Sequence, residues 1–186
     1  MKQIGIHIEI DEKHPAYQWA KRQSDSVNAF GHIGTHLDCY STTPNETEYE
    51  LEAIALNCLK GMPQLTDIHD LQLTQKALIL YTGNLEQNEY GSKAYGETDT
   101  FLSEEVLNAI LHLEPQFIII DSYGIGNHGE EHIKFDRICE KTNCFVIENV
   151  YLNDAIANTL TKIRIQLSSA PSSTGKPCKI YAICKN

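Results

Sequence analysis

No apolar run in this sequence approaches the roughly 20 residues needed to cross a bilayer, which excludes a membrane-spanning helix. Positive charge is also scarce. Fifteen Lys and Arg face 25 Asp and Glu, a formal net charge of -10, so no basic excess is left to neutralise phosphates and nucleic acid is not an expected partner. The opening "MKQIGIHIEIDEK" has no leader-like apolar core and no small-residue cleavage site, so a cytoplasmic location is the expectation. There is no CxxC pair. Cys39, Cys58, Cys139, Cys144, Cys178 and Cys184 are scattered through a chain too long to be a small disulfide scaffold, and are expected to be reduced, mostly buried thiols. Repeats and low-complexity segments are absent as well. What remains is an ordinary globular balance, 41% hydrophobic and 22% charged over 186 residues, which fits a single domain over 1–186.

Strand and helix signals alternate along the chain. "QIGIHIEI" at 3–10 alternates and is rich in isoleucine, which predicts a first strand. Residues 45–60, "NETEYELEAIALNCLK", carry apolar residues at helical spacing behind a potential cap at Asn45, and "GMP" stops the element. "KALILYTG" at 76–83 predicts a buried strand. "LSEEVLNAILHL" at 102–113 predicts a helix capped by Ser103, with Glu104 and Glu105 at its positive end. "PQFIIIDSYGIG" reads as a buried strand ending at Asp121, "IKFDRICEKT" as a helix or helical turn, and "NCFVIENV" as a strand ending at Glu148. "KIRIQLSSAP" and "KPCKIYAICK" close the chain as a pair of alternating strands. A mixed α/β domain follows.

One stretch carries chemistry. "GHIGTHLDCYSTTP" places His32, His36 and Asp38 within seven residues. Gly31 and Gly34 argue against a regular helix, so these side chains hang from a loop or extended segment, where His36 and Asp38 point the same way. Two imidazoles and a carboxylate suit a borderline divalent ion, zinc or manganese, but the spacing fits hydrogen-bonded loop histidines equally well. Cys39, inside the same stretch, could act as a nucleophile only beside a basic group that lowers its pKa. "HGEEH" at 128–132 matches the His-x-x-Glu-His pattern of inverted zinc metallopeptidases. That chemistry needs both histidines on one helix face, and the glycines of "SYGIGNHGEEH" predict a loop instead.

The motif resembles the signature of the cyclase family of metal-dependent hydrolases, which includes bacterial kynurenine formamidase and isatin hydrolase. His32-Ile-Gly34-Thr35-His36-Leu-Asp38 shares the two histidines, the Gly-Thr pair and the aspartate of its His-x-Gly-Thr-His-x-Asp-Ala-Pro-x-His motif. "LKGMPQLTDI", "ALILYTGN", "FIIIDSYGI", "NCFVIENVYL" and "TGKPCKIYAI" resemble further family segments, so the likeness runs over nearly the whole chain. It implies a swivelling β/β/α fold and a divalent metal, Zn or Mn, held by His32, His36, Asp38 and Glu148. It also implies hydrolysis of a small amide, lactam or lactone by metal-activated water, and a homodimer or homotetramer.

The sequence departs from the family in two places. The family's later histidine ligand falls on Asp136, so either Asp136 replaces it or His132, four residues earlier, swings in. An aspartate there would harden the site towards manganese or magnesium. The family's proton-shuttle histidine falls on Thr42, whose hydroxyl has no pKa near neutrality. Catalysis would then pass to other groups, with Glu148 or Asp136 as base and His128 or His132 as acid. The alternative is a member that binds a metal or small ligand without hydrolysing anything. Tyr40 is a candidate to orient substrate by its hydroxyl. Tyr17 and Trp19 are candidates because the family places N-terminal aromatics over its substrate.

Overall fold

The computed structural model describes residues 1–21, 29–168 and 173–185. In chain order the strands are β1 (Lys2–Gly5), β2 (His36–Asp38), β3 (Glu48–Asn57), β4 (Ala77–Tyr81), β5 (Phe117–Ile120), β6 (Phe145–Glu148), β7 (Leu160–Leu167) and β8 (Gly175–Cys184). The helices are α1 (Pro15–Lys21), α2 (Leu65–Ile68), α3 (Asn84–Gln87), α4 (Lys93–Glu97), α5 (Glu104–Leu111), α6 (Glu130–Lys141) and α7 (Asp154–Thr159), with a 3-10 turn at Ala29–His32.

The strands pair in the order β8-β2-β6-β5-β4-β3-β7, and β7 pairs back onto β8, so seven strands close into a barrel that leaves no open edge. β1 lies antiparallel along the outer half of β8. β3, β4, β5 and β6 run parallel to one another, and the remaining pairings are antiparallel. This is the mixed α/β architecture anticipated from the sequence.

Period-two alternation divides the core in two. Ile79, Phe117, Ile119, Phe145 and Ile147 face the barrel interior with Leu37, Ile163, Ile165 and Ile180. Leu78, Leu80, Ile118, Ile120 and Val146 face outward, under Val106, Leu107 and Ile110 of α5 and Phe135 and Cys139 of α6. The central strands are buried on both sides, which is why they read as unbroken apolar runs. Ser103 caps α5 as expected, its hydroxyl accepting the Val106 N–H at 3.2 Å.

Two sequence expectations are corrected. The segment expected to be a helix at 45–60 is the ten-residue strand β3. Its Glu, Leu and Ala content favours a helix, but Tyr49, Leu51, Ala53 and Ala55 pack into the barrel while Ile54 and Leu56 face the helical layer. Two-sided packing between β7 and β4 overrides intrinsic propensity. The first strand is shorter than expected: β1 ends at Gly5, and His7 forms an isolated bridge to Val150. Asp121 at the end of β5 is structural. Its carboxylate accepts the Thr82 N–H at 2.7 Å, the Thr82 hydroxyl at 2.6 Å and the Gly83 N–H at 2.7 Å, tying together the exits of β4 and β5.

Candidate metal centre

β2 lies between β6 and β8 and sets the register of the site. His36 pairs with Glu148 and Leu37 with Ile147. Leu37 points into the barrel, so His36 and Asp38 point out on the face that carries Glu148. α6 crosses that face and brings His132 and Asp136, one turn apart, over the strand ends. Three segments far apart in sequence therefore converge.

The contacts are close. His32 Nδ1 is 2.9 Å from Asp38 Oδ1, and His36 Nε2 is 3.5 Å from the same oxygen and 3.6 Å from Glu148 Oε2. His132 Nε2 lies 3.3 Å from Asp38 Oδ2, 3.4 Å from Glu148 Oε1 and 3.4 Å from Asp136 Oδ2. Among the described residues, His32, His36 and Asp38 form one group that could hold a metal ion, and Asp38, His132 and Glu148 form a second that shares Asp38.

The donor atoms are oriented from behind. His36 Nδ1 sits 2.9 Å from the Gly34 carbonyl, which can only accept, so this nitrogen carries a hydrogen and Nε2 is the atom turned to the cluster. Asn149 Nδ2 donates to the same carbonyl at 3.1 Å, and the Tyr95 hydroxyl donates to Asn149 Oδ1. His32 Nε2 is paired with the Thr174 hydroxyl at 2.8 Å, which leaves Nδ1 facing Asp38.

A cation fits this geometry. Asp38 Oδ1, both oxygens of Asp136 and Glu148 Oε1 are buried without a hydrogen bond. Although Asp38 Oδ1 is 2.9 Å from His32, the contact lacks hydrogen-bond geometry. Stranding several carboxylate oxygens in one buried spot is costly unless a positive charge joins them. The titration pattern agrees. Burial works against charged imidazoles, yet Asp38 and Glu148 outweigh it and raise His36 to about 9. His132 is likewise raised to about 10 against its burial, by Glu148, Asp38 and Asp136. Burial and the Asp38 charge raise Asp136 and Glu148 above the usual carboxylate range.

The cluster opens on a cavity of about 610 Å³. Its lining includes Tyr90, Tyr95, Tyr123 and His128, together with Pro15 and Ala16 of α1. The tyrosine hydroxyls are each engaged within the protein: Tyr90 accepts the Gly34 N–H at 2.9 Å, Tyr95 is tied to Asn149, and Tyr123 donates to the Thr98 carbonyl at 2.6 Å. Gly124, at φ 125°, passes so close that a Cβ there would lie 2.6 Å from the His132 ring and 2.8 Å from Glu148 Oε1.

Of the residues singled out in the sequence, His32, His36, Asp38, His132, Glu148 and His128 line this cavity. Asp136 is buried beside His132, so both candidates for the later ligand reach the cluster, with His132 placed among the metal-competent donors. Thr42 is exposed and does not line the cavity. The physical reason is Glu140 of α6, whose buried carboxylate accepts the backbone N–H groups of Tyr40 and Ser41 and turns the chain away. Tyr40 does not line the cavity either, and its ring packs under the Arg137 guanidinium at 5.5 Å. Tyr17 faces a neighbouring cavity beside Ile10 and Lys179. Trp19 falls in α1, and its side chain lies outside the described residues. Burial pushes the Cys39 thiol up to about 11, so it is no nucleophile at neutral pH. The expectation of a loop at 128–132 is half corrected: α6 starts at Glu130, so His132 is helical while His128 precedes the helix, and the two do not share a helix face.

Asn149, Tyr90, Tyr95 and Tyr123 were not anticipated. Asn149 follows Glu148 directly, which was the only signal for any of them, since isolated tyrosines look ordinary in sequence.

No family model and no curated protein matches the chain. Solved structures do. A potential metal-dependent hydrolase with cyclase activity is 16% identical, covers 100% of this chain and 98% of its own, and superposes with a TM-score of 0.68. A predicted metal-dependent hydrolase from Bacillus stearothermophilus is also 16% identical, with 97% coverage of both chains and a TM-score of 0.67. Isatin hydrolase A from Labrenzia aggregata, bound to benzyl benzoate, is 10% identical, covers 99% of this chain and 94% of its own, and has a TM-score of 0.67. At such identities the likeness establishes the fold.

Proposed function

We propose that this chain is a metal-dependent hydrolase of the cyclase type, cleaving a small amide, lactam or lactone with water activated at the metal. The observation that carries this reading is the set of stranded oxygens on Asp38, Asp136 and Glu148, facing the imidazoles of His32, His36 and His132 at the floor of a cavity. Several structures of the same fold are named as metal-dependent hydrolases, which supports it.

When bound, a divalent ion supplies a Lewis acid that polarises a carbonyl and brings the pKa of water towards neutrality. His32, His36, Asp38, His132 and Glu148 would hold it. With His132 in place three nitrogen donors are present, which moves the balance back from magnesium to zinc or manganese. Asp38, common to both donor groups, would bridge if two ions bind. Asn149 and the Gly34 carbonyl hold His36 in its ligating tautomer, and the tyrosine walls exclude water and orient a flat substrate. The reading carries with it a small-molecule substrate and a homodimer or homotetramer.

The second reading is a protein that binds metal or a small ligand without hydrolysis. The exposed position of Thr42 favours it, because no proton carrier stands where the resemblance would put one. Elemental analysis of untagged protein beside the His36→Ala variant tests the site. One or two equivalents of zinc or manganese, lost in the variant, are expected. A protein that takes up neither ion, even after reconstitution, refutes the reading. Turnover of amides, lactams or lactones by the loaded protein then separates hydrolysis from binding alone.

A further inference from the structure

We infer that His128 is the proton carrier of the hydrolysis proposed above, an assignment that stands only if that reaction does. Of the eight histidines, three are in the metal cluster. Four others are engaged elsewhere. His7 pairs with the Ile180 carbonyl, His14 accepts the Ala16 N–H, His69 lies beside Asp70, and His112 donates to the Asn108 carbonyl. That leaves His128 as the one cavity histidine outside the cluster.

Its ring is held by geometry. It stacks face to face on Tyr123 with centroids 4.4 Å apart and planes 9° apart. Tyr123 is itself fixed, by its hydroxyl on the Thr98 carbonyl and by edge contacts with Tyr95 and Phe101 at 5.6 and 5.7 Å. A stack sets the plane of an imidazole and covers one of its faces, but both nitrogens stay at the edge of the ring. Neither makes a hydrogen bond to a described residue. Gly129, in a left-handed conformation at φ 95°, separates His128 from α6 and so from the ligand His132. Partial burial holds its pKa below the ordinary imidazole value, and a neutral ring offers one lone pair and one N–H.

The step balances for an amide. The water oxygen forms a bond to the carbonyl carbon while its proton passes to His128. The C–N bond then breaks, and His128 returns that proton to the departing nitrogen, giving a carboxylic acid and an amine.

The test compares zinc- or manganese-loaded wild type with His128→Asn and His128→Phe, the second keeping a flat ring for the Tyr123 stack. The probes are formanilide, whose nitrogen needs a proton to leave, and 4-nitrophenyl formate, whose phenolate leaves unaided. Both variants are expected to keep full metal content. Both should lose about 100-fold or more in kcat/KM on the anilide and no more than a few-fold on the ester, in line with the usual worth of a positioned acid–base group. In 15N-histidine-labelled, zinc-loaded protein, His128 should give the spectrum of a neutral ring free of metal. Equal losses on both probes, full anilide activity in His128→Phe, or metal-shifted His128 nitrogens would each overturn the assignment. A wild-type protein that binds no metal or hydrolyses neither probe would remove the reaction itself, and the assignment with it.

Discussion

Gly124→Ala tests the candidate metal centre without replacing any of the proposed ligands. The added Cβ would lie 2.6 Å from His132 Cε1 and Nδ1 and 2.8 Å from Glu148 Oε1, where ordinary contact begins near 3.4 Å. The His132 ring must then retreat by about 0.8 Å and the Glu148 oxygen by about 0.6 Å, whereas a metal tolerates errors of only about 0.2 Å in its ligand distances. Metal affinity should fall at least about 10–100-fold, the loss typical when groups supporting ligands are disturbed. The left-handed backbone adds about 1–3 kcal/mol of strain to any residue with a side chain. Gly129→Ala is the matched control, since it also has a positive φ but its Cβ would meet nothing within 4 Å. It should lose stability to urea and keep its metal affinity. Competition titration against a chromogenic chelator measures the affinities. Equal weakening in both variants, or none in Gly124→Ala, would refute the packing of Gly124 against the cluster.

Saturating zinc or manganese should stabilise the fold by about 2.7 kcal/mol at a hundredfold excess over Kd, read from urea unfolding with and without chelator; an unchanged midpoint would count against the site. Chelator-treated protein should lose stability as pH rises from 6.5 through 9. His36 and His132 are raised by folding, and their contribution is complete below 6.5 and is lost above their folded pKa values; the raised Asp136 and Glu148 act in the same sense. A flat or rising profile would contradict this. Glu140→Ala should cost about 1.5–3 kcal/mol in urea unfolding by releasing the Tyr40 and Ser41 N–H groups, and a neutral effect would show that the carboxylate does not hold that turn. Asp121→Asn should cost about 1–3 kcal/mol by facing an amide against one of the Thr82 and Gly83 donors, with metal content unchanged; lost metal would give Asp121 a role at the site.

Much of the candidate site was legible because metal ligation would demand particular residue types at particular spacings. His32, His36 and Asp38 stood out as a cluster whose spacing fitted a metal or loop histidines equally, and Glu148, at the end of an apolar run, joined them through the family resemblance. The choice between Asp136 and His132 was not legible, because it depends on where α6 begins and how it crosses the strands. The turn that carries Thr42 away was equally hidden, since Glu140 acts from about a hundred residues along the chain. Fold reading failed where propensity and packing disagree. β3 contains good helix formers, and only the presence of β7 and β4 on its two sides makes it a strand. Tyr90, Tyr95 and Tyr123 became walls through tertiary contacts that leave no local pattern.

The position of β2 has a consequence for how the molecule assembles. This three-residue strand is held between β6 and β8, so His36 finds its neighbours at Glu148 and Pro177, more than a hundred residues downstream. Such long loops close late, because their entropy must be spent before any contact repays it. An emerging chain would present His32, His36 and Asp38 early, yet they would remain an open fragment with weak hold on any ion. Full coordination would arrive only when the C-terminal strands lock the motif in place. Metal uptake would thus mark the end of folding rather than guide its beginning, and partly made chains would not carry a reactive centre.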